Sequence, residues 1–293
     1  MQLFGGLTHF TILLLMAVGL AIVFGLMGVI NMAHGELMTM GAYTTYLTSI
    51  IFLRYFPSLI DIYLFVAIIA AFGVTALFGY ILERWFIRFF YNRTLDTLLA
   101  TWGLSLILQQ LYRSVFGAQD VQVPGPRWLQ GAWEPTSNIQ IPLNGMFIIA
   151  LTVVVVLALY WILYRTKWGL KVRAITQNRT MSGAAGINTR RVDGLTFALG
   201  SGIAGLAGCA FTLIGSTGPG SGQLYIVEAF IVVVFGSVQS LLGTIASAFI
   251  IGESQTTLEY VLSGSMAKVL VLLAVILVLY WKPDGLFSSR VRR

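Results

Sequence analysis

The sequence predicts an all-α fold, a polytopic transmembrane helical bundle with about 8 membrane segments that include broken or re-entrant helices. Composition is the first observation, since 57 % of the 293 residues are apolar and 10 % are charged, against about 25 % charged in a soluble domain. Apolar runs at 10–29, 62–82 and 145–164 reach the roughly 20 residues that cross a bilayer as a helix. The alternating segments of about ten residues that build a membrane barrel are missing.

The basic residues indicate how the chain is oriented in the membrane. The formal net charge is +7, and most of the eighteen lysines and arginines fall within residues 84–93, 165–191 and 282–293. Each of these segments flanks an apolar run, which is typical of cytoplasmic loops and not of a surface that binds nucleic acid. We therefore expect a single transmembrane domain over 1–293 that crosses the membrane several times, without a nucleic-acid partner.

Cytoplasmic segments must be separated by an even number of crossings. Between the first two lie two runs, 95–115 and 144–164, so the loop at 117–142 is predicted to be external (periplasmic). That loop holds four of the seven prolines, and proline fixes φ and removes a backbone donor. We expect it to be irregular and exposed, either as a plain connector or as a docking surface for an external partner.

Between residues 191 and 282 a simple count gives three apolar runs, which breaks the rule of even crossings. The middle run, 227–251, carries small and polar residues at its centre and is predicted to divide into two helices. The first third of the chain has a similar design, with a polar break at 31–36 between two apolar helices. Interrupted helices in both halves indicate an internal inverted repeat around a transport pathway.

Several chemistries have no support in the sequence. No G-x-x-x-x-G-K-[ST] loop is present, so energy for transport must come from elsewhere. The match to G-x-G-x-x-G at 200–205 lies inside an apolar helix and indicates close helix packing in place of dinucleotide binding. One cysteine and two histidines predict no disulfide and no metal site. We expect no catalytic residues and no cofactor.

Candidate pathway residues come from the break and from the run at 95–115. Asn31, His34 and Glu36 form a polar cluster that either lines a cavity or caps the following helix. Trp102, Ser105 and Gln109 share one helical face, and a glutamine amide suits a neutral, amide-like solute because it both donates and accepts hydrogen bonds. The alternative for this second group is hydrogen bonding between helices.

The segment 165–191 is the long cytoplasmic loop. Its small residues predict a short helix that fits closely against a partner protein, and the alternative is a solvated basic loop held near anionic lipid. These small residues are Ala174, Ser182, Gly183, Ala184, Ala185 and Gly186.

Four segments together resemble the membrane permeases of branched-chain amino-acid-type ABC importers. They are N-M-A-H-G-E at 31–36, W-G-L-K-V-R-A at 168–174, S-G-A-A-G-I-N at 182–188 and L-T-F-A-L-G-S-G-I-A-G-L-A-G at 195–208. Within that family, the segments at 95–110, 215–219 and 225–230 look most like the urea transporter permease.

The resemblance implies a heteromeric importer in a bacterial inner (plasma) membrane, with residues 1–293 as a multi-pass permease domain. Its partners would be a second homologous permease, two cytoplasmic ABC ATPase subunits and a periplasmic binding protein for urea, with the region of Ala174 to Gly186 as the ATPase coupling loop. One departure is that the family usually has V-G-G-x-G where this chain reads F-G-S-V-Q at 235–239. Transport of branched-chain amino acids remains an alternative, with Lys268 the main candidate to hold a carboxylate, and a passive urea channel and a membrane hydrolase are further ones.

Overall fold

The computed structural model describes residues 2–91, 93–136, 139–238, 240–283 and 285–287. Gln239 of the F-G-S-V-Q motif and the basic residues within 288–293 therefore lie outside the described residues. The described residues form an all-α polytopic bundle of eleven α-helices. In chain order these are α1 (Gln2–Met27), α2 (His34–Tyr55), α3 (Tyr63–Trp85), α4 (Thr94–Phe116), α5 (Leu143–Arg165), α6 (Lys167–Gln177), α7 (Arg179–Ala184), α8 (Thr189–Phe211), α9 (Ser221–Gly236), α10 (Leu241–Glu259) and α11 (Gly264–Trp281).

The helices differ in how deeply they lie in the bundle. Five of them, α1, α3, α5, α8 and α11, are long and apolar enough within the described residues to cross a membrane. The apolar windows of α1 and α8 are 72 % and 83 % buried, whereas those of α3, α5 and α11 are 17–33 % buried. A helix that is apolar all round yet exposed needs lipid or another subunit beside it. Thus α1 and α8 are central, and α3, α5 and α11 are peripheral.

The predicted division of the run at 227–251 is confirmed. Helix α9 ends at Gly236 and α10 begins at Leu241. A Cβ atom added to Gly236 would clash with the backbone carbonyl of Gly243, so the two helices turn back on each other without side chains between them. Ser237 closes α9 with a φ of 80°, a conformation that favours glycine.

Two sets of helices, α1–α4 and α8–α11, make corresponding contacts and are called the two repeats, since α1 packs on α10 as α8 packs on α3, and α1 packs on α9 as α8 packs on α2. Helix α1 runs antiparallel to α10, since Gly6 meets Glu253 and Gly25 meets Val238, and α3 runs antiparallel to α8. The two sets cross where a Cβ atom on Gly200 would lie 2.7 Å from the carbonyl oxygen of Gly19. The glycines of α8 therefore serve close packing, as their spacing predicts.

The structure corrects which breaks correspond. The sequence paired the break at 31–36 with the one near 237–240. In the fold, the first break follows α1, and its counterpart is the connection 212–220 that follows α8. Helices α2 and α9 begin after these connections, and their first turns meet at Gly35 and Gly222. The error arose because 212–220 looks like an ordinary loop between two helices, whereas the break at 237–240 interrupts one apolar run.

The loop at 117–142 is more ordered than predicted. It contains a short antiparallel hairpin of β1 (Ala132–Thr136) and β2 (Ile139–Pro142). The indole nitrogen of Trp128 donates to the carbonyl oxygen of Asp61 at 2.8 Å, and the phenol of Tyr63 donates to that of Pro124 at 2.8 Å. Prolines are tolerated at the edges and irregularities of a two-stranded sheet, and the loop forms a packed cap over the start of α3.

Candidate functional site

The break between α1 and α2 supplies the first part of the site. Gly28 takes a φ of 68°, which turns the chain out of α1. The amide of Ala33 donates to the side-chain oxygen of Asn31 at 3.1 Å, and the amide of Met32 donates to the hydroxyl of Thr101 in α4 at 3.0 Å. Non-helical backbone at membrane depth needs such partners because lipid provides none. The break is therefore held in place by α4.

Glu36 lies in the first turn of α2 and is 1 % exposed. Its Oε1 atom accepts hydrogen bonds from the Ser105 hydroxyl at 3.0 Å and the Gln109 amide at 2.8 Å, and its carbonyl oxygen accepts from the Tyr112 hydroxyl at 2.9 Å. A carboxylate in a first helical turn is stabilised by the helix dipole. The predicted residues Ser105 and Gln109 thus meet Glu36 in one buried cluster.

Several polar atoms of the site lack partners among the described residues. They are Oε2 of Glu36, Nδ2 of Asn31 and both ring nitrogens of His34. His34 is fully buried, and its Nε2 atom lies 3.0 Å from the position that a Cβ atom on Gly19 would take. Buried polar groups nearly always have a partner, so unpaired ones mark a place for water or a polar solute. Asn31, His34 and Glu36 thus each keep a buried polar atom without a partner among the described residues.

Trp102 does not belong to this cluster. The buried face of α4 runs through Thr101, Ser105 and Tyr112, whereas Trp102 is 50 % exposed. Positions 102 and 105 differ by about 60° around a helix, which is enough to move a side chain off a narrow buried face. The sequence could place Trp102 near Ser105 but could not show which edge of that face is covered.

A second acidic group lies in the other repeat. The Lys268 ammonium is 2.6 Å from Oε1 of Glu228, and Nε2 of His9 is 3.7 Å from Oε2 of the same carboxylate. The Glu228 side chain is 12 % exposed and that of Lys268 is 47 % exposed. In the first repeat, Glu36 of α2 therefore contacts the last helix, α4. In the second, Glu228 of α9 contacts the last helix, α11. The sequence marked Lys268, but its pairing with Glu228 depends on contacts between α9 and α11.

Residues 167–186, which comprise α6, α7 and the two residues after them, are called the docking segment after the partner contact predicted for them. It is helical, as predicted, with Ala174 half-buried and Ser182 buried. Val172 and Ile175 of α6 pack against Val192 of α8, and the Thr176 hydroxyl donates to the carbonyl oxygen of Leu26 at 3.2 Å. The docking segment therefore touches the end of α1 just before the break. The small residues Gly183, Ala184, Ala185 and Gly186 are exposed.

The described residues contain no group of three or more histidine, cysteine, aspartate or glutamate side chains arranged to hold a metal ion. The site is thus characterised by hydrogen-bonding groups and helix ends.

The comparison with protein families decides the class of the chain. A family model described as the permease component of the branched-chain amino acid transport system matches residues 2–279. The chain belongs to this family. The permease is a transport component and not an enzyme, because ATP hydrolysis in such ABC importers belongs to a separate subunit. It is a multi-pass inner-membrane protein whose partners are an ATPase and a binding protein.

Curated relatives cover nearly the whole permease. It is 30 % identical to the high-affinity branched-chain amino acid transport system permease protein LivH of Salmonella typhimurium, over 98 % of this chain and 94 % of that one. It is 28 % identical to the corresponding protein BraD of Pseudomonas aeruginosa, over 98 % and 95 % of the two chains. The fructose import permease protein FrcC of Rhizobium meliloti is 30 % identical over 64 % of this chain and 53 % of its own. No solved structure matches the permease.

Proposed function

We propose that the permease forms the translocation pathway for urea, or another short amide, in an ABC importer driven by ATP hydrolysis on partner subunits. The observation that carries this proposal is the buried group of Glu36, Ser105 and Gln109 between α2 and α4. It supplies donors and acceptors with no described basic side chain forming an ion pair with Glu36.

The chemistry of this group suits a small neutral amide. Urea has one carbonyl acceptor and four N–H donors, so it satisfies the free Oε2 atom of Glu36 as a donor and an N–H of His34 as an acceptor. The Gln109 amide nitrogen donates to Glu36 and Ser105 and so orients this carboxylate. Each such hydrogen bond to a charged group is worth about 1.5–3 kcal/mol. The first turns of α2 and α9 meet beside this group, as in transporters whose broken helices form the substrate site.

The two ends of the bundle indicate where the partner proteins bind. The end that carries the basic segments faces the cytoplasm by the rule of positive charge. There the docking segment seats in a groove of one of two ATPase subunits, through its exposed small residues. The cap at 117–142 faces the periplasm and the binding protein. The exposed apolar faces of the peripheral helices provide room for a second homologous permease.

A branched-chain amino acid is the second candidate substrate, and the relatives support it better than they support urea. The printed names of LivH and BraD specify branched-chain amino acid transport. One structural observation also favours it, since Glu228 and Lys268 provide the opposite charges that a zwitterion requires. Urea is supported instead by the resemblance of three segments to the urea transporter permease and by the uncharged partners of Glu36.

Uptake by proteoliposomes that contain the complete transporter separates the candidates. The proposal expects ATP-dependent accumulation of labelled urea, and accumulation of labelled leucine in its place would establish the second candidate. The double variant Glu228→Gln with Lys268→Gln removes both charges of the pair. It should leave urea uptake within about twofold, whereas a permease for amino acids should lose leucine uptake by tenfold or more. Urea flux that persists without ATP would point to a passive channel.

A further inference from the structure

A polar network lies at the basic end of the bundle. It includes neither the candidate pathway residues nor the exposed small residues of the docking segment. Arg179 of α7 forms an ion pair with Asp193 of α8 through both carboxylate oxygens, and one of these contacts, from Nη1 to Oδ1, is 3.5 Å. The Asp193 side chain is 4 % exposed, whereas that of Arg179 is 41 % exposed. A guanidinium bound at two points to a carboxylate fixes direction as well as distance.

The same arginine reaches a third element. Its Cζ atom lies 5.1 Å from the centroid of the Tyr91 ring, in the connection between α3 and α4. The Tyr91 hydroxyl donates to Oε1 of Glu83 in α3 at 2.6 Å, and Glu83 is 4 % exposed. Burial raises the pKa of the Tyr91 phenol, so it keeps the proton that it donates. One side chain of α7 is thereby connected to α8, to the α3–α4 connection and to α3.

Helix α7 makes few other contacts with the bundle. It has six residues, and Ser182 is its single buried member while Gly183 and Ala184 are exposed. Helix α8, in contrast, passes from Asp193 to Gly200, where it packs on α1 beside His34. Movement of α7 can therefore reach α8 and α3 through the fixed geometry of the Arg179 contacts.

We propose that Arg179 is a positioning residue that transmits the displacement of α7 to α8 and α3 during transport. This inference rests on the proposed function, because it takes the docking segment to bind an ATPase subunit. Arg179 sets how much substrate is imported for each ATP hydrolysed, and it contacts neither substrate nor nucleotide.

The test measures import and ATP hydrolysis together in the reconstituted transporter, along with thermal unfolding. Arg179→Gln should lower the number of substrate molecules imported per ATP by at least about fivefold, the lower range of coupling between sites. Asp193→Asn is then added to Arg179→Gln, which removes the unpaired buried carboxylate and should restore thermal stability. The double variant should remain uncoupled. Arg190→Gln is the control, because it removes the same charge from an exposed position of α8.

Two outcomes would overturn the inference. If the double variant regains the wild-type import per ATP together with its stability, the network only stabilises the fold. If Arg190→Gln uncouples transport as strongly as Arg179→Gln, the effect belongs to net charge. Cross-linking from Gly183→Cys to the ATPase subunit distinguishes a failure of this inference from a failure of the proposed function. A cross-link retained in Arg179→Gln shows docking without transmission, and its absence in a wild-type background contradicts docking itself.

Discussion

The backbones of Gly35 and Gly222 touch where the first turns of α2 and α9 meet, and a Cβ atom on Gly35 would lie 2.5 Å from the carbonyl oxygen of Gly222. The two glycines hold equivalent places in the two repeats. Their contact brings two helix N-termini to one point inside the bundle, where the amide of Gly222 donates to the hydroxyl of Thr39 at 2.9 Å. This contact therefore determines how α2 and α9, which carry Glu36 and Glu228, lie relative to each other.

Gly35→Ala should destabilise the permease, because a methyl group at this position must push α2 and α9 apart. Forcing extra atoms into a packed core costs about 1–3 kcal/mol. We expect a lower thermal midpoint in detergent and loss of import. Gly103→Ala in α4 is the control, since no heavy atom lies within 4 Å of its added Cβ atom. Equal behaviour of the two variants would show that the close contact does not exist.

Gln109→Ala should weaken import at low substrate concentration by about tenfold, the effect of one hydrogen bond to a charged group. Gln110→Ala is a closely matched control, because the adjacent glutamine is exposed on the same helix. We expect Gln110→Ala to stay within twofold of the wild type. If both variants import normally at limiting substrate, the Glu36 cluster holds helices together and does not contact the solute.

Thr176→Val removes the hydroxyl that donates to the carbonyl oxygen of Leu26. A neutral hydrogen bond is worth about 1 kcal/mol, so import per ATP should fall by up to about fivefold. Thr180→Val serves as the comparison, as Thr180 is exposed on α7 and donates no side-chain hydrogen bond in the described structure. An unchanged ratio in Thr176→Val would mean that α6 does not communicate with the break through α1.

Ser237→Gly should stabilise the permease by about 1 kcal/mol, because a φ of 80° is strained for serine and free for glycine. The neighbouring Ser240→Ala should have the opposite sign. The Ser240 hydroxyl accepts from the amide of Gly243 at 3.0 Å and caps α10, and loss of such a cap costs about 1 kcal/mol. Thermal unfolding of both variants checks the pair. A lower midpoint for Ser237→Gly would show that the serine side chain stabilises this turn.

Sequence patterns predicted the parts of the fold that depend on local composition. The apolar runs located the long helices, and glycine and serine near 236–243 located the turn between α9 and α10. The polarity of 31–36 located the break, and helical spacing brought Ser105 and Gln109 to one face. These features were accessible because each is encoded within about twenty residues of chain.

The remaining features depend on distant contacts. The pairing of Arg179 with Asp193, and of Glu228 with Lys268, joins helices whose relative rotation cannot be read from either one. The exposure of Trp102 depends on which edge of the α4 face is covered, and helical spacing alone does not show where a buried face ends. The hairpin within 117–142 was missed because four prolines outweighed the strand signal. The correspondence of the break after α1 with residues 212–220 required the arrangement of whole repeats.

The central claim is that the cluster of Glu36, Ser105 and Gln109 lies on the translocation pathway. The chain has one cysteine, Cys209, which is buried, so Ser105→Cys in a Cys209→Ala background gives a single reporter at the cluster. Ser114→Cys, exposed on α4, is the control. During ATP-driven turnover, a small methanethiosulfonate reagent should modify Ser105→Cys, and excess urea should slow that reaction while Ser114→Cys reacts at an unchanged rate. Modification of Ser105→Cys that is absent, or that is insensitive to urea in a transporter still importing urea, would contradict the account.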